Sequence, residues 1–185
     1  MLIMDRFALV AIFASALAST LLNMLLPLRE FLKALGFPGP AGGMALLGGF
    51  IFTFWIVLAH LASSCRRLTA LSTALLIPAF SLLVSPWYGV VDPPWFGVYG
   101  IIAFAFAGLV VELACRRGVD LKALVLGGGF SNTLCLAVTL LAIGLHTSIW
   151  PPSWFAPISL LSAFTSGALG SLLALALRRA WPTHE

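Results

Sequence analysis

The sequence predicts an all-α integral membrane protein, a single bundle of six transmembrane helices with both termini on the inner side. Three observations predict it. Hydrophobic residues make up 61% of the 185 and charged residues only 9%, whereas soluble domains are about half apolar and roughly a quarter charged. The apolar residues fall in six runs, roughly 7–26, 43–63, 69–85, 97–115, 123–145 and 155–177, each near the ~20 residues that cross a hydrocarbon core. Finally, eight of the ten Lys and Arg residues sit in alternate gaps between those runs: Arg6, Arg66, Arg67, Arg116, Arg117, Lys122, Arg178 and Arg179. Short loops rich in Lys and Arg stay in the cytoplasm, so these gaps read as inner. The other gaps, with only Arg29 and Lys33, read as outer. The six runs leave no room for a soluble domain, so residues 1–185 form a single transmembrane domain. The net charge of +4 follows from the same asymmetry. No basic cluster exceeds three residues over a loop, which argues against nucleic-acid binding.

The first run follows Arg6 and ends before Pro27. Ala16-Leu17-Ala18 has the outline of a signal-peptidase site. However, the apolar run continues through Leu26, and cleavage would leave five spans with opposed termini, against the charge pattern. Small residues recur along this run at Ala8, Ala11, Ser15 and Ala18, with Ala14-xxx-Ala18 beside them. In the following loop, Leu28–Leu35 has helical spacing, but Phe37-Pro38-Gly39-Pro40 cannot be regular helix. A re-entrant cap over a pocket and a plain exposed turn both fit that segment.

The second run places His60 near its inner end, where the ring can reach the interface. Pro78 near the middle of the third run predicts a kink. In the fourth run Glu112 precedes Arg116 by one turn, the spacing of a local ion pair. The fifth begins near Gly127-Gly128-Gly129. With no strand before it and no Gly-Lys-Ser/Thr after it, this is close helix packing rather than a phosphate loop. Asn132, deeper in that run, requires a partner, and an interhelical hydrogen bond is expected. The sixth run carries Ser162-xxx-Ser166-xxx-Gly170 beside Ala163-xxx-Gly167-xxx-Ser171. Such stripes let backbones approach closely. Packing within the bundle is the favoured reading, and docking onto a separate membrane subunit the other.

Catalytic constellations are missing: no HExxH, no GxSxG, no pair of intramembrane carboxylates and no ATP-binding motif. Three scattered histidines make no metal site. Cys65, Cys115 and Cys135 show no CxxC spacing, so neither a zinc site nor a disulfide framework is supported. No internal repeat points to an inverted-repeat transporter. The expectation is a protein that is not an enzyme and carries no cofactor or metal.

The outer loops are unusually aromatic. Four of the six Trp residues lie there, in Ser85-Pro86-Trp87-Tyr88-Gly89, Asp92-Pro93-Pro94-Trp95-Phe96 and Trp150-Pro151-Pro152-Ser153-Trp154-Phe155. An interfacial belt would decorate both sides, yet the inner side has only Trp181. Prolines stiffen these loops and lower the entropy cost of presenting aromatic faces. A ligand pocket is therefore predicted at the outer face. Its aromatic walls would be Trp87, Trp95, Trp150 and Trp154, and its polar groups Asp92, Asn23, Tyr88, Tyr99 and His146, with Glu30 near. Asp92 before two prolines is also a good turn residue in its own right.

In length, six spans, inner termini, small-residue first helix and outer aromatic pocket, the chain resembles the substrate-binding S components of energy-coupling factor transporters, the vitamin-uptake family. Gly36-Phe37-Pro38-Gly39-Pro40-Ala41-Gly42-Gly43 and the Pro-Trp-Tyr-Gly/Pro-Pro-Trp loop look most like the thiamine or hydroxymethylpyrimidine-related branch. The resemblance implies a multi-pass protein of the prokaryotic cell membrane that binds a vitamin-like heterocycle. It also implies docking through Ala11, Ala14, Ser15 and Ala18 on a transmembrane coupling subunit driven by two ATPases. Release would follow from toppling of the whole subunit in the lipid bilayer. The pocket has few obvious acidic residues, where a cationic thiamine-like ligand would call for them. A small membrane enzyme or assembly factor, and a stand-alone oligomeric carrier, are the alternatives.

Overall fold

The computed structural model describes residues 6–26, 34, 40–84, 94–116 and 118–180, and all regular structure among them is helical. Six helices follow the six apolar runs. They are α1 (Arg6–Leu25), α2 (Pro40–Gly48, Gly49–Thr53 and Phe54–Ala62 in succession), α3 (Thr69–Val84), α4 (Pro94–Cys115), α5 (Leu121–Thr147) and α6 (Phe155–Ala180). Most of the loop between α1 and α2 lies outside the described residues.

The helix ends follow local chemistry. Pro40 and Pro94 occupy first helical positions, where a missing N–H costs nothing. They start α2 and α4 about three residues before the apolar runs do. Asp120 caps α5 by accepting a hydrogen bond from the Ala123 N–H at 2.5 Å. Ser148, in the left-handed region at φ 57°, closes its other end. The helix of α3 continues through Pro78. Five helices are long and apolar enough to cross a membrane, whereas α3 has only 16 residues. At 1.5 Å each these span about 24 Å, short of the ~30 Å hydrocarbon core.

The distribution of side chains across the bundle is inverted relative to a soluble protein. Leucine and phenylalanine crowd the outside, with Phe7 62%, Val10 64%, Leu83 68% and Leu161 68% exposed. Alanine, serine, threonine and glycine dominate the inside, including Ser19, Thr53, Thr73, Ser131 and Ser171. Apolar side chains facing outward and small or hydroxyl side chains facing inward are what a lipid solvent selects. The chain is a multi-pass membrane bundle.

The helices close a ring in the order α1, α3, α4, α5, α6, α2, and α2 also reaches α3 and α5. It is the most enclosed span, with 67% of its apolar window buried against 33% for α1 and α4. At its centre, Gly49–Thr53 forms a π-helical turn, which widens the helix and interrupts its regular hydrogen-bond ladder. Hydroxyls of neighbouring helices bond to the backbone around it. The Ser166 hydroxyl of α6 accepts from the Gly49 N–H at 3.0 Å and donates to the Leu46 carbonyl at 2.9 Å. From α1, Ser19 donates to the Ile51 carbonyl at 2.6 Å.

Those bonds require near-contact of backbones. A Cβ on Gly49 would collide with the Ser166 carbonyl, one on Gly170 with the Gly49 carbonyl, and one on Gly167 with the Gly128 carbonyl. The α6 stripe and the glycine run of α5 therefore pack within the bundle. Asn132 makes the expected interhelical bonds, its Nδ2 donating to Met44 O of α2 at 3.1 Å and Ala163 O of α6 at 2.9 Å.

Two outcomes check this junction by thermal unfolding in detergent. Gly49→Val and Gly167→Val should each cost at least about 1–3 kcal/mol through overpacking, whereas Gly100→Ala, with open space at its Cβ, should be nearly silent. Ser166→Ala should cost about 1–3 kcal/mol by removing both of its bonds to the α2 backbone. Unchanged unfolding of all three destabilising variants would rule out the glycine–serine contact.

Candidate functional site

The two ends of the bundle differ in chemistry. Interhelical contacts join like ends, Tyr99 with His146 at the aromatic end and His60 with Glu112 at the basic end.

At the aromatic end, Tyr99 lies near the start of α4 and His146 in the last turn of α5. His146 Nε2 and the Tyr99 hydroxyl are 3.2 Å apart, and their rings meet edge to face with centroids at 5.2 Å. This T-shaped arrangement suits the ring quadrupoles. The Trp150 indole lies against the backbone of Gly144, where a Cβ would meet it at 2.5 Å. Trp150 nevertheless stays 55% exposed, and Trp154 is 64% exposed beside Phe155. Both indoles present open surface next to Pro151 and Pro152. The predicted set is thus brought together in part. Tyr99 and His146 bond, Trp150 packs on the end of α5, and Trp154 immediately precedes α6. Trp95 sits in the first turn of α4. Trp87, Tyr88, Asp92 and Glu30 lie outside the described residues. Asn23 is exposed near the end of α1, a helix that packs chiefly on α2 and α3 rather than on α4 or α5.

The small residues of α1 separate by face. Ser15 is buried within the bundle, Ala11 and Ala18 are half-buried, and Ala14 is exposed. Ser15 is therefore an internal packing residue, whereas Ala14 faces outward.

The basic end holds a group of side chains that sequence spacing did not connect. The Glu112 carboxylate does not pair with Arg116 one turn away. Its Oε1 accepts from the Ala70 N–H in the first turn of α3 at 2.8 Å and lies 3.7 Å from His60 Nδ1. Unbonded N–H groups and the positive end of the helix dipole make that turn a better partner for a half-buried carboxylate than an exposed arginine. His60 is turned inward as well, being only 2% exposed. The shared signal was depth, since His60 and Glu112 both lie within one turn of the basic end of their helices.

The loop from α2 to α3 is wound tightly to meet them. Ser64, Cys65 and Leu68 all take positive φ, at 55°, 57° and 67°, uncommon for residues with a side chain. The Cys65 N–H returns to the His60 carbonyl at 2.8 Å. Cys65 and Cys115 thereby join His60 and Glu112 in lining one cleft. Burial first, and the Glu112 charge second, push the Cys65 thiol pKa up. No group of three or more His, Cys, Asp or Glu among the described residues is arranged to hold a metal ion.

Comparisons with protein-family models, with curated proteins and with solved structures found no match. The functional reading therefore rests on geometry and on the resemblance carried by the sequence.

Thiol reactivity tests the basic-end arrangement. The thiolate is the reacting form, so maleimide labelling of Cys65 at pH 7 should be slower than that of an unhindered thiol and should rise with pH. Glu112→Gln removes one of the two influences raising the pKa and should speed labelling at pH 7. Equal rates in parent and variant across pH 7–9 would contradict the placement of Glu112.

Proposed function

We propose that this chain is the substrate-binding membrane subunit of an energy-coupling-factor type importer, taking up a vitamin or related small heterocycle across a prokaryotic cell membrane. The observation that carries the reading is the cluster at the aromatic end. A bonded Tyr99–His146 pair joins α4 to α5, and the exposed Trp150 and Trp154 lie in the segment that follows α5. A planar heterocycle is matched by such a set, since its faces stack on indoles and its ring nitrogens meet one hydroxyl and one imidazole. Pro151 and Pro152 restrict the backbone between the two Trp residues, so little further ordering is needed on binding.

Energy would come from outside the chain, because its sequence has no ATP-binding motif. A transmembrane coupling subunit with two ATPases is the partner this reading requires. The exposed face of α1 around Ala14 is the contact surface it would use, because a small side chain lets a second helix approach closely. No catalytic role is needed.

Purified protein should lose Trp fluorescence on addition of its ligand, and a panel of vitamins and pyrimidine precursors should contain at least one compound that raises its unfolding temperature. Trp154→Ala should weaken that binding by about 1–3 kcal/mol, the usual contribution of one stacking contact. Tyr99→Phe should cost about 1 kcal/mol by removing one hydrogen bond. A panel that gives neither quench nor thermal shift counts against the importer. So does an enzymatic activity abolished by Glu112→Gln while Trp154→Ala is silent.

A further inference from the structure

At the basic end, between the start of α3 and the end of α4, the cleft has a volume of about 440 Å³, within the ~300–1,000 Å³ of small-molecule sites. Three kinds of surface meet in it. Leu68, Leu109 and Leu113 line it and are 49%, 42% and 56% exposed, which gives the cleft an open apolar side. Arg67 and Arg116 also line it and are exposed. His60 and Glu112 supply its buried polar part.

The pairing within this group leaves specific capacity unused. Among the described residues Glu112 lies against His60 and the Ala70 N–H, and neither Arg67 nor Arg116 forms an ion pair with a carboxylate. Two guanidinium groups at one rim offer the planar forks that bind phosphate oxygens. Deeper in, His60 Nδ1 is buried without a hydrogen-bond partner. The 3.7 Å to Glu112 Oε1 is too long for a direct bond, yet one hydroxyl placed beside both atoms would bond to each. Buried nitrogen left unpaired is costly. Trp55 Nε1 and Ser171 Oγ are also unpaired, but neither lines this cleft.

We propose that this cleft binds the headgroup of an anionic phospholipid. Arg67 and Arg116 take the phosphate, a headgroup hydroxyl reaches His60 and Glu112, and the acyl chains lie over Leu109 and Leu113. A soluble phosphate ester shares the first two contacts and lacks the third. The exposed leucines continue the site into the apolar exterior, which favours the lipid. Basic pockets between membrane helices are suited to such headgroups. The proposal is independent of the importer reading, which concerns the opposite end.

The test is lipid retention by the purified full chain, read by native mass spectrometry against a phosphatidylcholine background. Phosphatidylglycerol should be retained selectively. Combined Arg67→Gln and Arg116→Gln should lower that retention about 25-fold, each arginine near an anionic headgroup contributing roughly fivefold. Arg178→Gln, on α6 and outside the cleft, should leave it unchanged. His60→Gln should erase the preference for phosphatidylglycerol over phosphatidic acid, which has the phosphate but no headgroup hydroxyl. If that buried substitution prevents folding, the exposed arginine pair still decides the matter. Equal retention of phosphatidylcholine, indifference to the double arginine variant, or equally tight binding of soluble glycerol phosphate would overturn the proposal.

Discussion

The π-helical turn at the centre of α2 sets the terms for the rest of the bundle. In an apolar surround, a backbone group without a partner costs several kcal/mol. Widening the helix at Gly49–Thr53 puts the Gly49 N–H and the carbonyls of Leu46 and Ile51 in reach of hydroxyls from other helices. The fold supplies Ser166 from α6 and Ser19 from α1. For Ser166 to enter the backbone of α2, the two helices must touch main chain to main chain, so Gly49 and Gly170 carry no side chain there. The same economy of volume at Gly128 and Gly167 admits α5. Asn132 then ties all three helices through the Met44 and Ala163 carbonyls. Association of helices in lipid has little hydrophobic drive, so close packing and these polar bonds carry it.

With α2, α5 and α6 locked at mid-depth, variation is left to the two ends. At the aromatic end the helices stop at Thr147 and restart at Phe155, and the intervening residues hold Trp150 and Trp154 at the surface. At the basic end the α2–α3 loop folds back under α2, and Glu112 bridges α4 to the first turn of α3. One end is shaped by rings and the other by charge. In the importer reading this is a division of labour, with ligand at one face and the membrane boundary at the other.

Much of the architecture was legible in the sequence because lipid imposes simple rules. Apolar run length located six helices, and the glycine and serine stripes of α5 and α6 pack inward as spacing suggested. Asn132 was legible for the same reason, since a lone amide in an apolar run must find a partner. The π-turn was not, because its residues, Gly-Phe-Ile-Phe-Thr, are as apolar as any helix interior. Its traces are Ser19 and Ser166 on two other helices, the second 117 residues from the N–H that it accepts from. Glu112 was misread for a related reason. Spacing of four joins residues on one helix, and it says nothing of a neighbouring helix whose first N–H groups need an acceptor. At the aromatic end, sequence named the residue types but not which pairs meet, and the bond between Tyr99 and His146 emerged only from the fold.

The faces of α1 follow from this same hierarchy. Ser15, Ser19 and Thr20 turn inward, where Thr20 donates to its own helix at Ala16 and reaches the Ile77 carbonyl of α3. That carbonyl lies one residue before Pro78, whose missing N–H already leaves the α3 ladder one bond short. The polar face of α1 is thus committed to the bundle, and it cannot also serve a second protein. What remains outward is Phe7, Val10, Phe13 and Leu17, all at least 48% exposed, with Ala14 among them. In the importer reading the gap at Ala14 is where a partner helix would approach, since close approach is what a small residue permits. Contact through Ala14, with Ala11 and Ala18 at its margin, is therefore compatible with the internal duties of α1, and contact through Ser15 is not.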